Sequence, residues 1–269
     1  MSKTIFITGS STGLGRSAAL LFAERGWNVI ATLRDPSKAA ELGKVPGITL
    51  LPLDVTKPAQ IDAAAKHALG LGPVDVLFNN AGYGLAGPFE GTTDEQIVRE
   101  IDTNLLGVLR TTKAFLPAFR ERRAGTIIST TSIGGLATFP LNSVYHATKW
   151  GIEGFSESLA FELGTFGIRV KTVAPGGIKT DFAGRSLVLA EHPAYADVMK
   201  KVLSVFMDPS RSAGQSSPEQ IAEVVYEAAT DEKDKLTYVA GADATAMYKE
   251  RLAVGIETFR RAIGKMFIG

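Results

Sequence analysis

Thr4-Ile5-Phe6-Ile7-Thr8-Gly9-Ser10-Ser11-Thr12-Gly13-Leu14-Gly15 is the stretch that decides the fold. Its β-branched and aromatic opening predicts a strand over residues 4–8, and the pattern over 16–25, closed by Gly26, predicts a helix. Between them, Gly9, Gly13 and Gly15 let the backbone turn tightly and approach a pyrophosphate, whose charge N–H groups at the helix start would meet. The spacing differs from the common G-x-G-x-x-G, and a glycine cluster by itself is often only a turn. Its place between a first strand and a helix is the context the mechanism requires, so a dinucleotide is the expected ligand.

Outward from this turn, strands are predicted over residues 28–33, 49–53, 74–78, 126–131, 169–174 and 236–240. They alternate with helices over 60–69, 94–123, 143–166 and 218–229. Thr93 or Asp94 reads as the N-cap of the helix over 94–123, and Pro117 as its kink or break. The strands are continuous apolar runs, as expected where helices cover both faces of a sheet. The expected fold class is therefore α/β: a single Rossmann-like, doubly wound parallel sheet of about seven strands with helices on both faces. One domain spans 1–269, interrupted by an irregular insertion over 181–217. Tyr248, Leu252, Phe259 and Ile263 give a final helix one apolar stripe.

Composition bounds the function. The 269 residues carry a formal charge of +1, with 45% hydrophobic and 21% charged residues, which excludes a disordered, collagenous or disulfide-stapled chain. Near-neutral charge leaves no electrostatic footprint for nucleic acid or lipid headgroups. With no Cys, disulfides and thiolate metal sites are unavailable, and His67, His146 and His192, read as surface or helix residues, share no ligand spacing; no metal is expected. No apolar run approaches the roughly 20 residues that cross a bilayer. The N-terminus enters a strand at once, without room for a signal peptide, so a soluble, cytoplasmic protein with no membrane partner is expected.

The end of the second strand bears on which dinucleotide binds. An acidic residue there would accept hydrogen bonds from a ribose with free hydroxyls, whereas an Arg would suit a 2′-phosphate. Leu33 stands where the acid is sought, and Arg34 follows it, able to grip phosphate bidentately. Asp35 is the counter-argument, and an Arg34–Asp35 surface pair the bland alternative; the reading adopted is NADP(H) over NAD(H). Asp54 is either an adenine-amino acceptor or a cap or turn residue before Lys57-Pro58, or both. Asn79-Asn80-Ala81-Gly82 forms a small-residue turn at the carboxyl edge of the sheet, a candidate wall of the cleft.

Tyr145 and Lys149, at i and i+4, lie on one face of the helix after the fifth strand. Ser132 precedes Tyr145 by thirteen residues, at the same carboxyl edge, and Asn104 interrupts a long helix where Asn is a mediocre helix former. A free phenol has a pKa of about 10, and a neighbouring ammonium lowers it. Tyr145 can then exchange a proton with a substrate oxygen, while Ser132 donates a hydrogen bond to that oxygen. Each residue alone has an ordinary structural reading; their coincidence with the glycine turn makes the case.

The pattern resembles the classical short-chain dehydrogenases/reductases, strongly over residues 1–180. The matching segments are Thr8-Gly9-x-x-x-Gly13-x-Gly15, Asn79-Asn80-Ala81-Gly82, Ser132 with Tyr145-x-x-x-Lys149, and Pro175-Gly176-x-Ile178-x-Thr180. Residues 143–159 and the tail near 238–244 look like the branch of retinol and 17β-hydroxysteroid dehydrogenases and bacterial relatives. The resemblance implies that Ser132, Tyr145 and Lys149 are catalytic and that Asn104 completes a tetrad with a water-linked proton relay to Lys149. Cofactor contacts are expected at Gly9, Ser11, Thr12, Gly13, Leu14, Gly15, Arg34, Asp54, Val55, Asn80, Ala81, Gly82, Tyr145, Lys149, Pro175, Gly176, Ile178 and Thr180. Lys149 would hold nicotinamide-ribose hydroxyls, Ile178 and Thr180 the carboxamide, and hydride would pass between nicotinamide C4 and the substrate carbon. Two departures stand out: Lys171 occupies a position that is Asn in many members, and Thr12 one where NADP-preferring members often carry a basic residue, leaving Arg34, with Arg16, to carry the preference.

The expected function is an NADP(H)-dependent oxidoreductase interconverting a ketone or aldehyde and an alcohol, on an apolar small molecule. The alternatives are an epimerase or dehydratase on the same scaffold and a non-catalytic NADP(H)-binding redox sensor. Residues 181–217 carry Phe182, Leu187, Val188, Leu189, Tyr195, Val198, Met199, Val202, Val205, Phe206 and Met207, read either as a lid over an apolar pocket or as core or subunit interface. Family analogy implies a homodimer or homotetramer, with the helices over 94–123 and 143–166 as the interface.

Overall fold

A computed structural model describes residues 2–179, 186–208 and 214–269. Thr180 and Phe182 lie outside the described residues. Seven parallel strands form the central sheet: β1 (Thr4–Thr8), β2 (Asn28–Leu33), β3 (Ile48–Pro52), β4 (Val76–Asn79), β6 (Gly125–Thr130), β7 (Ile168–Pro175) and β9 (Thr237–Ala240). Their order is β3-β2-β1-β4-β6-β7-β9, so the chain winds outward in both directions from β1. Ile7 pairs with Ala31 on one side and Phe78 on the other, at the point where the strand order reverses, which is where ligands bind in open α/β sheets.

Alternation within β1 shows why its run is wholly apolar. Ile5 and Ile7 face one layer, formed with α1 (Gly13–Glu24) and α7 (Pro218–Thr230); Phe6 faces the other, formed with α2 (Pro58–Leu71), α4 (Gly107–Arg122) and α5 (Ser143–Gly164). Ring contacts fix both layers, Phe22 meeting Trp27 edge-on at 5.0 Å and Phe6 meeting Phe115 at 4.8 Å.

Three features differ from expectation. The helix over 94–123 does not break at Pro117, which lies inside α4; it changes character earlier, where α3 (Asp94–Ile101) gives way to a π-helical turn at Asp102–Leu106. Thr93 caps α3, its hydroxyl accepting the Gln96 N–H at 3.2 Å. The tail is two helices, α8 (Ala242–Val254) and α9 (Ile256–Phe267), parted at Gly255, whose φ of +78° side-chain-bearing residues rarely adopt. A second, two-stranded sheet joins β5 (Gly84–Ala86) to β8 (Leu187–Leu189), tying the insertion to the loop after β4.

The insertion's helix, α6 (Ala196–Phe206), packs through Val198, Val202 and Val205 on Phe259, Ile263 and Phe267 of α9. Phe206 stands 5.0 Å from Phe267 and 6.2 Å from Phe139, so this helix touches both the tail and the loop that follows Ser132. Among the described residues, no helix is long and apolar enough to cross a membrane.

Candidate active site

The glycine turn is built by close packing against the residues after β4. Thr8 Oγ1 accepts the N–H groups of Asn80 and Ala81 at 2.9 and 3.0 Å, while Asn80 Nδ2 donates to the carbonyls of Thr8 and Gly9. Gly9 has φ +72°, and a Cβ on it would fall 2.8 Å from Ala81 Cα; one on Gly15 would fall 2.3 Å from Gly9 O. Thr12 precedes α1 without a side-chain cap, and the helix's first turn holds no acidic residue. Uncapped N–H groups at a positive helix end fit a pyrophosphate, and that observation supports a dinucleotide here. Ser11, Thr12, Gly13, Leu14 and Gly15 form this segment, with Leu14 buried beneath it.

Arg34 is exposed just beyond β2. Asp35 instead turns to Ser37, its Oδ1 accepting the N–H at 3.1 Å and the hydroxyl at 2.6 Å as cap of a short 3-10 turn. The Ser37 hydroxyl holds the Asp35 carboxyl below its ordinary range. Asp54 Oδ1 accepts the Thr56 N–H and hydroxyl at 3.0 and 2.8 Å, the turn geometry that was one of its two expected readings. Burial pushes the Asp54 carboxyl up, but Thr56 and the charges of Arg34 and Lys57 outweigh this and hold it low. Val55 is a core residue packed near Gly107, so its side chain serves the interior.

Tyr145 and Lys149 project from successive turns of α5, the Lys149 Nζ 5.7 Å from the Tyr145 ring centre. Nζ donates to Thr130 O at 2.9 Å, anchoring the ammonium at the carboxyl end of β6. Ser132 Oγ accepts the Gly134 N–H at 3.0 Å. Burial pushes the Tyr145 phenol up to about 12, opposed by Ser132 and reinforced by Glu100. Burial draws the Lys149 ammonium down to about 8, opposed by Glu100 and Glu153.

Asn104 lies in the π-helical turn, 1% exposed, its Oδ1 accepting the Tyr83 N–H at 3.0 Å and its Nδ2 donating to Tyr83 O at 2.7 Å. A Cβ on Gly82 would lie 3.1 Å from Asn104 Oδ1 and 3.8 Å from Lys149 Nζ, so Asn104 and Lys149 share one polar recess. On the far rim, Pro175 ends β7, Gly176 N–H donates to Ala240 O at 2.9 Å, and Ile178 bridges to Ser216.

Three polar residues of this region escaped the sequence reading. His146, expected on the surface or in a helix, lies in α5 and is buried, with both ring nitrogens bonded. Glu153 accepts the hydroxyls of Thr131 at 2.6 Å and Thr172 at 3.0 Å. Glu100 is fully buried one turn before Asn104. Glu100 and Glu153 do carry a signal: each lies four residues from a candidate site residue, Asn104 and Lys149 respectively, on the same helical face.

Residues 3–187 match the family described as short chain dehydrogenase. Retinol dehydrogenase 8 of Bos taurus is 35% identical over 239 residues, covering 83% of this chain and 76% of that protein. A short-chain dehydrogenase from Streptomyces avermitilis superposes with a TM-score of 0.86 at 33% identity, covering 98% of this chain and 95% of its own. The structure of ElxO with NADP bound superposes with a TM-score of 0.78 at 26% identity, covering 91% and 100%.

Proposed function

The chain belongs to the short-chain dehydrogenase/reductase family, acting on CH–OH groups, and from that premise we propose that it interconverts an apolar ketone or aldehyde and its alcohol with NADP(H). The observation that carries the reading is the convergence of Ser132, Tyr145 and Lys149 beside an uncapped glycine turn. Gly9 and Gly13 to Gly15 would hold the pyrophosphate; Arg34, free of the cap that engages Asp35, would meet a 2′-phosphate. Asn80, Ala81, Gly82, Pro175, Gly176 and Ile178 would wall the nicotinamide end, where the bound cofactor supplies or accepts a hydride.

The chain's own residues manage the proton. In reduction, Tyr145 gives its phenolic proton to the carbonyl oxygen as charge develops there. Lys149, one turn away, stabilises the phenolate that remains. Ser132 donates to the same substrate oxygen and steadies its alkoxide character. Asn104 and Lys149, sharing the recess at Gly82, lie where a proton relay to solvent would run.

Supports for the finer points are local. Phe206, Met207 and Leu189 leave apolar surface exposed on the insertion, which suits an apolar substrate. Trp150 and Phe161 leave similar surface on α5, which suits self-association of a homodimer or homotetramer through the α4 and α5 layer.

A panel of aliphatic, aromatic and steroidal ketones, assayed with NADPH and NADH in parallel, tests the reading. Stoichiometric NADPH oxidation that Tyr145→Phe abolishes is the expected result. Turnover without net cofactor consumption would favour an epimerase or dehydratase, and cofactor binding without turnover would favour a sensor. Activity with NADH alone would overturn the role of Arg34.

A further inference from the structure

Glu100 is a carboxylic acid with no solvent exposure, placed by α3 against α5. One oxygen is pinned: Oε1 accepts the Leu85 N–H at 3.0 Å and lies 3.4 Å from Asn104 Nδ2. The other, Oε2, is enclosed without a hydrogen-bond partner. A buried carboxylate in this state is costly unless a cation stands near it. Lys149 is that cation: it is buried, its Nζ meets Thr130 O, and it borders the recess at Gly82 together with Asn104, whose Nδ2 approaches Glu100 Oε1.

We propose that Glu100 is the counter-ion of Lys149, a positioning residue that keeps the amine an ammonium beside Tyr145 as the solution becomes alkaline. The proposal rests on the reading of Tyr145 and Lys149 as the proton-handling pair. Burial pushes the Glu100 carboxyl up and the Lys149 ammonium down, and the charge of each opposes the shift of the other, so the two titrate as a coupled pair. The other groups facing Glu100 do not replace it. From α5, Tyr145 is neutral in mildly alkaline solution; Tyr83 likewise keeps its proton, pushed up by burial and by Glu100, and its ring is faced by Arg99 at 5.6 Å. Glu153 also favours the Lys149 ammonium, but its carboxylate is engaged by the hydroxyls of Thr131 and Thr172.

The test titrates the folded protein carrying lysine labelled with carbon-13 at Cε, the Lys149 resonance being identified by its loss in Lys149→Met. In Glu100→Gln, which keeps an oxygen for the Leu85 N–H, the Lys149 midpoint should fall by about one pH unit. The ratio of kcat at pH 9 to kcat at pH 7 should fall by about ten-fold with it. Glu100→Leu, apolar and similar in bulk, should show the same midpoint shift. An unchanged midpoint in either folded variant overturns the proposal. In the wild-type chain, a carbon-13 signal showing Glu100 as a carboxylate while Lys149 still holds its proton supports it, and one showing Glu100 still protonated after Lys149 has lost its proton overturns it. A shifted midpoint in a protein without turnover would sink the oxidoreductase reading and leave the ion pair standing.

Discussion

His146 Nε2 accepts the Phe139 N–H at 3.0 Å while its Nδ1 donates to Gly134 O at 2.6 Å. Because a backbone N–H can only donate, Nε2 must be bare and Nδ1 must carry the proton. The ring therefore straps the loop of residues 134–139, which follows Ser132, onto the residue next to Tyr145.

Protonating His146 would turn Nε2 against the Phe139 N–H. Burial holds its pKa below the ordinary 6.5, so the folded state binds this proton less readily than the unfolded chain. Its contribution is complete above the unfolded value and is lost as pH falls below 6.5 toward the lower folded value. Thermal melts should thus show wild-type stability declining below pH 6.5 with a component missing from His146→Ala. At pH 8 that variant should be destabilised by about 2 kcal/mol in urea unfolding, for two lost buried hydrogen bonds. Its kcat should fall more than its KM changes, since the strap positions Ser132 and Tyr145.

Lys171, Asp231 and Tyr238 form a largely buried triad, with Lys233 at its rim, its N–H donating to Asp231 Oδ1 at 3.2 Å and its Nζ 3.8 Å from Oδ2. Lys171 Nζ donates to Asp231 Oδ1 at 2.6 Å and to Tyr238 OH at 3.0 Å, and Tyr238 OH donates to Asp231 Oδ2 at 2.7 Å. Burial pushes the Asp231 carboxyl up, but the bonds from Lys171 and Tyr238 bring it down to about 2, and Tyr238 is held well above its usual value. Lys171→Met should destabilise by about 3–5 kcal/mol by stranding a buried carboxylate, and Lys171→Met with Asp231→Leu should recover much of the loss in urea unfolding. Asp231 stabilises fully above its unfolded value of 3.8, and that share is lost as pH falls from there toward 2.

That triad also shows how far the sequence could be read. Lys171 was visible as a departure from the family pattern, but its partners lie 60 and 67 residues away, and only the β7–β9 pairing brings them together. The parallel strands were legible because burial on both faces writes continuous apolar runs. The glycine turn, Ser132, Tyr145 and Lys149 were legible because each sits at a strand end or at helical spacing. The π-helical turn at Asn104 was not, since its signal was a single poor helix former, whereas Pro117 carries a stronger local rule that α4 overrides. β5 and β8 are three residues each and pair across a hundred positions, leaving no period to detect.

Cofactor choice yields a prediction because Asp35 is engaged by Ser37 and Arg34 is exposed. A guanidinium–phosphate contact contributes about 1.5–3 kcal/mol, whereas Arg34 has no comparable anion to meet in NADH. Arg34→Ala should therefore raise KM for NADPH by about ten- to a hundred-fold and leave KM for NADH close to its wild-type value. Equal effects on both cofactors in steady-state assays would place Arg34 away from the 2′-phosphate.

Ser132 offers the cleanest separation of chemistry from folding. Its Oγ already accepts the Gly134 N–H, so its own O–H is left to donate, on the proposed mechanism, toward the substrate oxygen. Removing one such donor from a site where oxygen charge develops costs about a hundred- to a thousand-fold in kcat. Ser132→Ala should show that loss at pH 7 together with a fall of about 1 kcal/mol in urea unfolding, for the cap lost from the buried Gly134 N–H. Ser132→Thr keeps the hydroxyl and should recover a large part of the rate. If Ser132→Ala turned over at the wild-type rate, the hydroxyl would be a cap and nothing more, and Tyr145 alone would have to stabilise the oxygen.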